Sequence, residues 1–423
     1  METPPLPLSL PIWTLIPFAL LLGAIALGPL LHREGWERHY PKVAVLLGAA
    51  TASYFLLWLH RPGPLLHAVG EYAGFMALIA SLFVIAGGIH VTVPEGGGTP
   101  GRNTAFLALG AVLANFFGTT GAAVLLIRPW LRMNEGSVTP RHVVFFIFLV
   151  GNVGGCLTPM GDPPLFLGFL KGVPFFWPLL HLWKGWLMAT GLLLAVFYVL
   201  ERRARGRRTE PLPTRQRRGS IAIHGKINVL FLGFAVGALF LPSPWREAVL
   251  VAMAAASFFA TPAHVHRANA FSLAPLREVA WLFAGIFITM APALEILPAH
   301  APALGLTTPQ AFYWMTGMLS AILDNAPTYV TFLAASIGLH GGGGPTPDAV
   351  LAETSRHGIF VVAISLGAVF FGAMTYIGNG PNFMIKAVAE EAGVTMPGFF
   401  GYLFRYAVPI LLPILFVVAW AVL

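Results

Sequence analysis

Two short stretches hold the residues best suited to chemistry. "TPMGDPP" at 158–164 places Asp162 between a glycine and two prolines, and "LDNAPT" at 323–328 places Asp324, Asn325 and Thr328 together. Both interrupt strongly apolar runs. An ionised carboxylate inside a bilayer is costly and is kept for function or for a partner. Neither aspartate has a Lys or Arg in the matching stretches, since Lys386 falls about two helical turns beyond its own break. A carboxylate with hydroxyl and carbonyl oxygens around it makes a hard-ligand cage, suited to a small cation or to a proton.

The elements that must position these groups are membrane helices. Apolar residues make up 57% of the 423-residue chain and charged ones 10%, and mean hydropathy is +0.76. A water-soluble domain carries charge on roughly a quarter of its residues. Apolar segments long enough to cross about 30 Å of hydrocarbon recur along the chain, so the class is an all-α polytopic membrane protein. Spans are expected near 10–31, 42–59, 70–92, 143–170, 175–200, 227–241, 245–262, 277–297, 357–390 and 399–423, the first read as a retained span. Segments 104–133 and 309–338 are interrupted by polar residues and are expected to be re-entrant helical hairpins. The single cysteine, Cys156, excludes an intrachain disulfide and a Cys-based metal cluster.

Formal net charge is +8, and eight arginines lie in the linker 201–226. With the spans above, most Lys and Arg fall on one side, which the positive-inside rule makes cytoplasmic, with both termini outside. This charge is expected to meet anionic lipid in the cell (inner or plasma) membrane, not nucleic acid.

The linker separates two related halves. "GGCLTPMGDPPLFLG" (154–168) aligns with "FGAMTYIGNGPNFMI" (371–385) at 378 − 161 = 217, sharing Gly155/Gly372, Thr158/Thr375, Gly161/Gly378, Pro164/Pro381 and Phe166/Phe383. "LANFFGTTGAAVLL" (113–126) aligns with "LSAILDNAPTYVTF" (319–332) at 324 − 118 = 206. The expected organisation is a first repeat, 1–200, with hairpin 104–133 and broken helix 143–170, and a second, 227–423, with hairpin 309–338 and broken helix 357–390. Charge counting turns the copies upside down relative to each other. An inverted repeat with a broken helix in each copy is the signature of a secondary transporter whose site lies near the midplane.

Pro159 and Pro163 remove backbone donors, Gly161 permits a turn, and the helix can restart at Pro163 with Asp162 as its cap. Gly378, Asn379, Gly380 and Pro381 repeat the device. If each hairpin packs on the break of its own half, one site holds Thr119, Thr120 and Asp162, and another holds Asp324, Asn325, Thr328 and Asn379. Asn152, Thr158, Gly161, Thr375, Gly378 and Asn382 complete the polar set. Glu71 and Glu278 fall at expected span ends and reach the interface. The thirteen histidines show no metal-ligand spacing on a helix face, and His264 and His266 flank one loop residue. The glycine runs at 96–98 and 341–344 read as flexible connections, and Trp183 and Trp186 as interfacial anchors.

Paired hairpins and broken helices with these motifs resemble the ion transporter superfamily over nearly the whole chain. That superfamily groups divalent anion/sodium symporters, citrate transporters, arsenite pumps and NhaD-type sodium/proton antiporters. "TPMGDPP" and "LSAILDNAPT" are most similar to the antiporter branch and to the citrate transporter-like group. The resemblance implies cation and proton ligation by Asp162, Asp324 and Asn325, a homodimer, Na+ and H+ as transported or coupling ions, and no other cofactor. It also implies a small inorganic cation or a small carboxylate as substrate. The antiporter branch tends to carry an acidic residue in the first hairpin as well, where this chain has Gly118. Thr119, Thr120, Asn379 and Asn382 suit the carboxylate-binding alternative. No nucleophile–base pair, metal motif or phosphate loop points to an enzyme.

Overall fold

Backbone amides in hydrocarbon have no water to bond, so the apolar runs close their hydrogen bonds within each segment as helix. The computed structural model describes residues 10–94, 98–206 and 221–423. The helices are α1 (Ile16–Leu31), α2 (Arg33–Ser53), α3 (Gly63–Gly87), α4 (Pro100–Met133), α5 (Pro140–Leu149), α6 (Pro163–Lys171), α7 (Trp177–Gly206), α8 (Ile227–Ala238) and α9 (Trp245–Ala260). They continue with α10 (Ala263–Ala268), α11 (Ala274–His300), α12 (Pro309–Ile322), α13 (Asn325–Leu339), α14 (Pro347–Arg356), α15 (Gly358–Phe371), α16 (Pro381–Glu391), α17 (Phe399–Tyr402) and α18 (Leu412–Val422). Among the described residues, eight helices, α4 among them by its total length, are long and apolar enough to cross a membrane, or nine if the bent pair α14–α15 is one span. Large apolar side chains such as Trp420, Phe259 and Leu31 cover the outside. The chain is an all-α, multi-pass integral membrane protein.

Two of the expected spans come out short, and a small sheet appears. The spans placed at 227–241 and 245–262 are helices of 12 and 16 residues, about 18 and 24 Å long, which is short of the hydrocarbon thickness. They are consecutive, so the sidedness of the later helices is the same whether both cross or neither does. A small antiparallel sheet also forms, pairing β1 (His90–Thr92) with β2 (Ala222–His224) and so tying the end of α3 to the end of the basic linker. Three residues per strand are too few for a period-2 pattern to stand out. Residues 207–220 of that linker and 95–97 of the first glycine run lie outside the described residues.

Both hairpins form. Helix α4 reverses at Gly118, where φ is 74° and ψ 158°. Phe106 stacks on Trp130 at 5.3 Å, and Asn103 Nδ2 donates to Asn134 Oδ1 at 2.7 Å, pairs centred on that glycine. A straight helix would hold residues 106 and 130 about 36 Å apart. In the second hairpin, α12 and α13 meet at Leu323 and Asp324, and Phe312 packs edge-on against Phe332 at 6.2 Å.

One hydrogen bond and one glycine contact recur in both halves at the offsets of the repeat. Thr158 Oγ1 donates to Asn115 O at 2.5 Å, and its partner Thr375 donates to Ala321 O at 2.6 Å. Residues 115 and 321 are themselves equivalent at the hairpin offset of 206. In the first break Gly155 and Gly161 press backbone to backbone, so that a Cβ on Gly161 would come 2.0 Å from Gly155 O. Gly372 and Gly378 form the same contact, where a Cβ on Gly378 would lie 2.8 Å from Gly372 O. Each hairpin therefore packs on the break of its own half.

Candidate functional site

The first break runs from α5 through a 3-10 turn, Val153–Leu157, to α6; the second runs from α15 through Gly372–Met374 to α16. Polar backbone freed at a break must be satisfied by protein. Asn115 does this in the first repeat: its Nδ2 donates to Gly154 O at 2.7 Å and its Oδ1 accepts from Leu157 N at 2.8 Å. Trp186 Nε1 also donates to Gly154 O, at 2.9 Å, so the indole N–H serves the break. In the second repeat Asn382 Nδ2 donates to Gly372 O and Thr375 O at 2.8 and 2.9 Å.

Between the breaks lies Asp162, 1% exposed. It occupies the cap position of α6 in extended conformation, yet its carboxylate makes no capping hydrogen bond. Oδ1 instead accepts from Thr119 Oγ1 at 2.7 Å and from Asn379 Nδ2 at 3.0 Å, while Oδ2 accepts from Asn325 Nδ2 at 2.6 Å. The two expected sites are thus one. Asn325 and Asn379, placed by sequence with Asp324, reach across to the carboxylate of the other repeat. Asn152 joins the same network, donating to Asn382 Oδ1 at 2.8 Å and accepting from Asn379 Nδ2 at 3.1 Å. Sequence alignment pairs each residue with its symmetry mate and carries no information about contacts between mates, which is why the merger was hidden.

Asp324 has the role expected of Asp162. Its Oδ1 accepts from Ala326 N at 3.0 Å, capping α13, and Thr328 Oγ1 donates to Asp324 O at 2.9 Å within the same first turn. Asp324 also lines a cavity of about 450 Å3 together with Thr120, Asn379, Glu37 and Glu278. No Lys, Arg or His is among the described residues lining that cavity. Thr120 is therefore turned toward the cavity, one residue after the Thr119 that binds Asp162.

The interior has one buried lysine near the first break, Lys171 at the end of α6. Its Nζ lies 2.7 Å from Glu71 Oε1, and His67 Nε2 lies 3.0 Å from the same oxygen. Glu71 is paired inward, with Lys171 and the exposed His67 on the same carboxylate oxygen. It sits two turns inside α3, which begins at Gly63, with a side chain 10% exposed. Glu278 is exposed at the cavity.

Two amide nitrogens and one hydroxyl face the carboxylate, and the side-chain oxygens that could join it around a small cation are Thr119 Oγ1 and Asn325 Oδ1. Asn325 Oδ1 is buried without a hydrogen-bond partner, on the amide that binds the carboxylate. An oxygen left unpaired in the interior costs about 1–3 kcal/mol unless something fills its lone pairs. Asn115, Trp186 and Ser320, whose Oγ donates to Ala368 O at 2.6 Å, were missed from sequence. Asn115 had a signal, being an amide in an apolar hairpin arm three residues before Gly118.

No curated protein matches the chain. Residues 8–423 do match the sequence model of a family described as "Putative citrate transport". With a carboxylate shared between two broken repeats and nearly its whole length covered by that match, the chain belongs to this citrate-transporter-like family.

Proposed function

We propose that the chain is a secondary active transporter that exchanges Na+ for H+ at Asp162, with the two repeats inverted relative to each other and working by alternating access. The observation that carries this reading is a fully buried carboxylate held only by neutral donors, one from each hairpin and one from the second break. A fixed lysine would neutralise Asp162 permanently, and the buried Lys171 is already paired with Glu71. A mobile cation or a proton is left to do so. Asp162 and Asn325 Oδ1 are the oxygens for Na+; a proton on Asp162 competes for the same position, which makes exchange obligatory. Asp324 and Glu278 line the cavity beside Asn379, and that negative charge favours cations over anions there.

A second reading is cation-coupled uptake of a small carboxylate, favoured by the family match. Here the cation binds first at Asp162, and the carboxylate follows onto it and onto Thr120 and Asn379. Proteoliposomes with Na+, Li+ and citrate tested across a pH gradient separate the two. Antiport predicts Na+-driven proton movement without citrate, abolished in Asp162→Asn. Labelled citrate uptake that requires Na+ or H+, with no exchange in its absence, would replace the first reading by the second.

A further inference from the structure

We propose a divalent transition-metal site, of Zn2+ type, formed by His340, Glu353 and His357 at the solvent-facing end of the second repeat and separate from Asp162. The three residues come from three places in the fold. His340 ends α13, the returning arm of the hairpin; Glu353 lies in α14; His357 is the joint at which α14 and α15 bend by 101°. One ligand atom from each lies within 4.8 Å of the other two. Glu353 and His357 are four apart, so they share a helix face, and His340 closes the set from across the loop.

The chemistry matches a borderline-soft cation. Two imidazoles and one carboxylate are a zinc ligand set that leaves a fourth position for water. Glu353 is 3% exposed, and its Oε1 and Oε2 lie 2.9 and 3.2 Å from His340 Nδ1. Ser336 Oγ donates to Glu353 Oε1, an outer partner of the kind that orients a ligating carboxylate. The His340 and His357 rings stack with centroids 3.6 Å apart and planes 2° from parallel. Parallel rings cannot both aim a lone pair at one ion, so binding turns His357, the half-buried partner at the joint, out of the stack. Bound metal would then fasten the hairpin to the second broken helix across their connecting loop.

The test is Zn2+ titration of the purified full chain by calorimetry, with Co2+ absorption as a second readout of imidazole ligation. The expected result is one Zn2+ per chain that is weakened at least about tenfold in His357→Asn and in His340→Asn, given that loss of an outer partner alone costs 10–100-fold. His264→Asn, a histidine elsewhere, should bind as the parent does. If His340→Asn fails to fold, the surface variant His357→Asn still decides. Equal Zn2+ affinity in His357→Asn and His264→Asn, or no Zn2+ uptake by the parent chain, overturns the site.

Discussion

Asp162 and Asp324 occupy comparable positions, each just before a half-helix, and the structure divides two jobs between them. Asp324 caps α13 and faces the cavity; Asp162 leaves its helix uncapped and binds across the repeat interface. Asparagine is as good a helix cap as aspartate, whereas alanine costs about 1 kcal/mol there. Asp324→Asn should therefore melt as the parent does yet lose cation transport, while Asp324→Ala should lose about 1 kcal/mol as well. Thermal melts beside proteoliposome fluxes check both, and full transport in Asp324→Asn would confine that residue to capping. Asn115 is a structural counterpart: truncation to alanine strands Leu157 N at the break and leaves Gly154 O to Trp186 alone. A loss of about 2 kcal/mol in stability is expected, with Na+ affinity of the folded fraction unchanged.

At the scale of elements, the first hairpin depends on one backbone conformation. Gly118 lies in a region of φ and ψ that only glycine visits readily, and a Cβ there would stand 3.0 Å from Met160 O. At the position aligned with Asp324 the backbone thus favours glycine over an acidic residue, because its φ and ψ disfavour any side chain and a Cβ would crowd Met160 O. Gly118→Ala should destabilise by about 1–3 kcal/mol and move Thr119 away from Asp162. Reduced Na+ affinity together with a lower melting temperature would be the measured outcome; normal affinity would show that the turn does not set the site.

For the whole molecule, the pair Glu71–Lys171 ties α3 to α6 through a buried ionic contact. Removing Lys171 leaves the buried Glu71 carboxylate facing only the exposed His67, and breaking such a pair one-sidedly costs about 3 kcal/mol, more than removing both charges. Lys171→Met should be markedly less stable than the Glu71→Gln/Lys171→Met double variant, measured by thermal melting in detergent. The reverse order would mean that water reaches the pair. Topology belongs to this scale too. A cysteine introduced at Arg203, at the end of α7, in a Cys156→Ala background should react with an impermeant maleimide only after the cytoplasmic face is opened. Labelling in intact cells would invert the orientation inferred from charge.

Membrane class, the two hairpins, the two breaks and the pairing of Thr158 with Thr375 were all determined by sequence alone. Spans follow from hydrophobic length, breaks from proline and glycine in apolar runs, and repeats from matching offsets, and each of these is local along the chain. What only the tertiary structure decided is where the polar side chains go once the halves meet. Asn325 and Asn379 bind Asp162 and not Asp324; Glu71 finds Lys171 a hundred residues away; Trp186 turns inward to a break carbonyl; and His340, Glu353 and His357 converge across a loop. Such contacts depend on how separate helices pack, and a buried polar atom takes whichever partner that packing brings within about 3 Å.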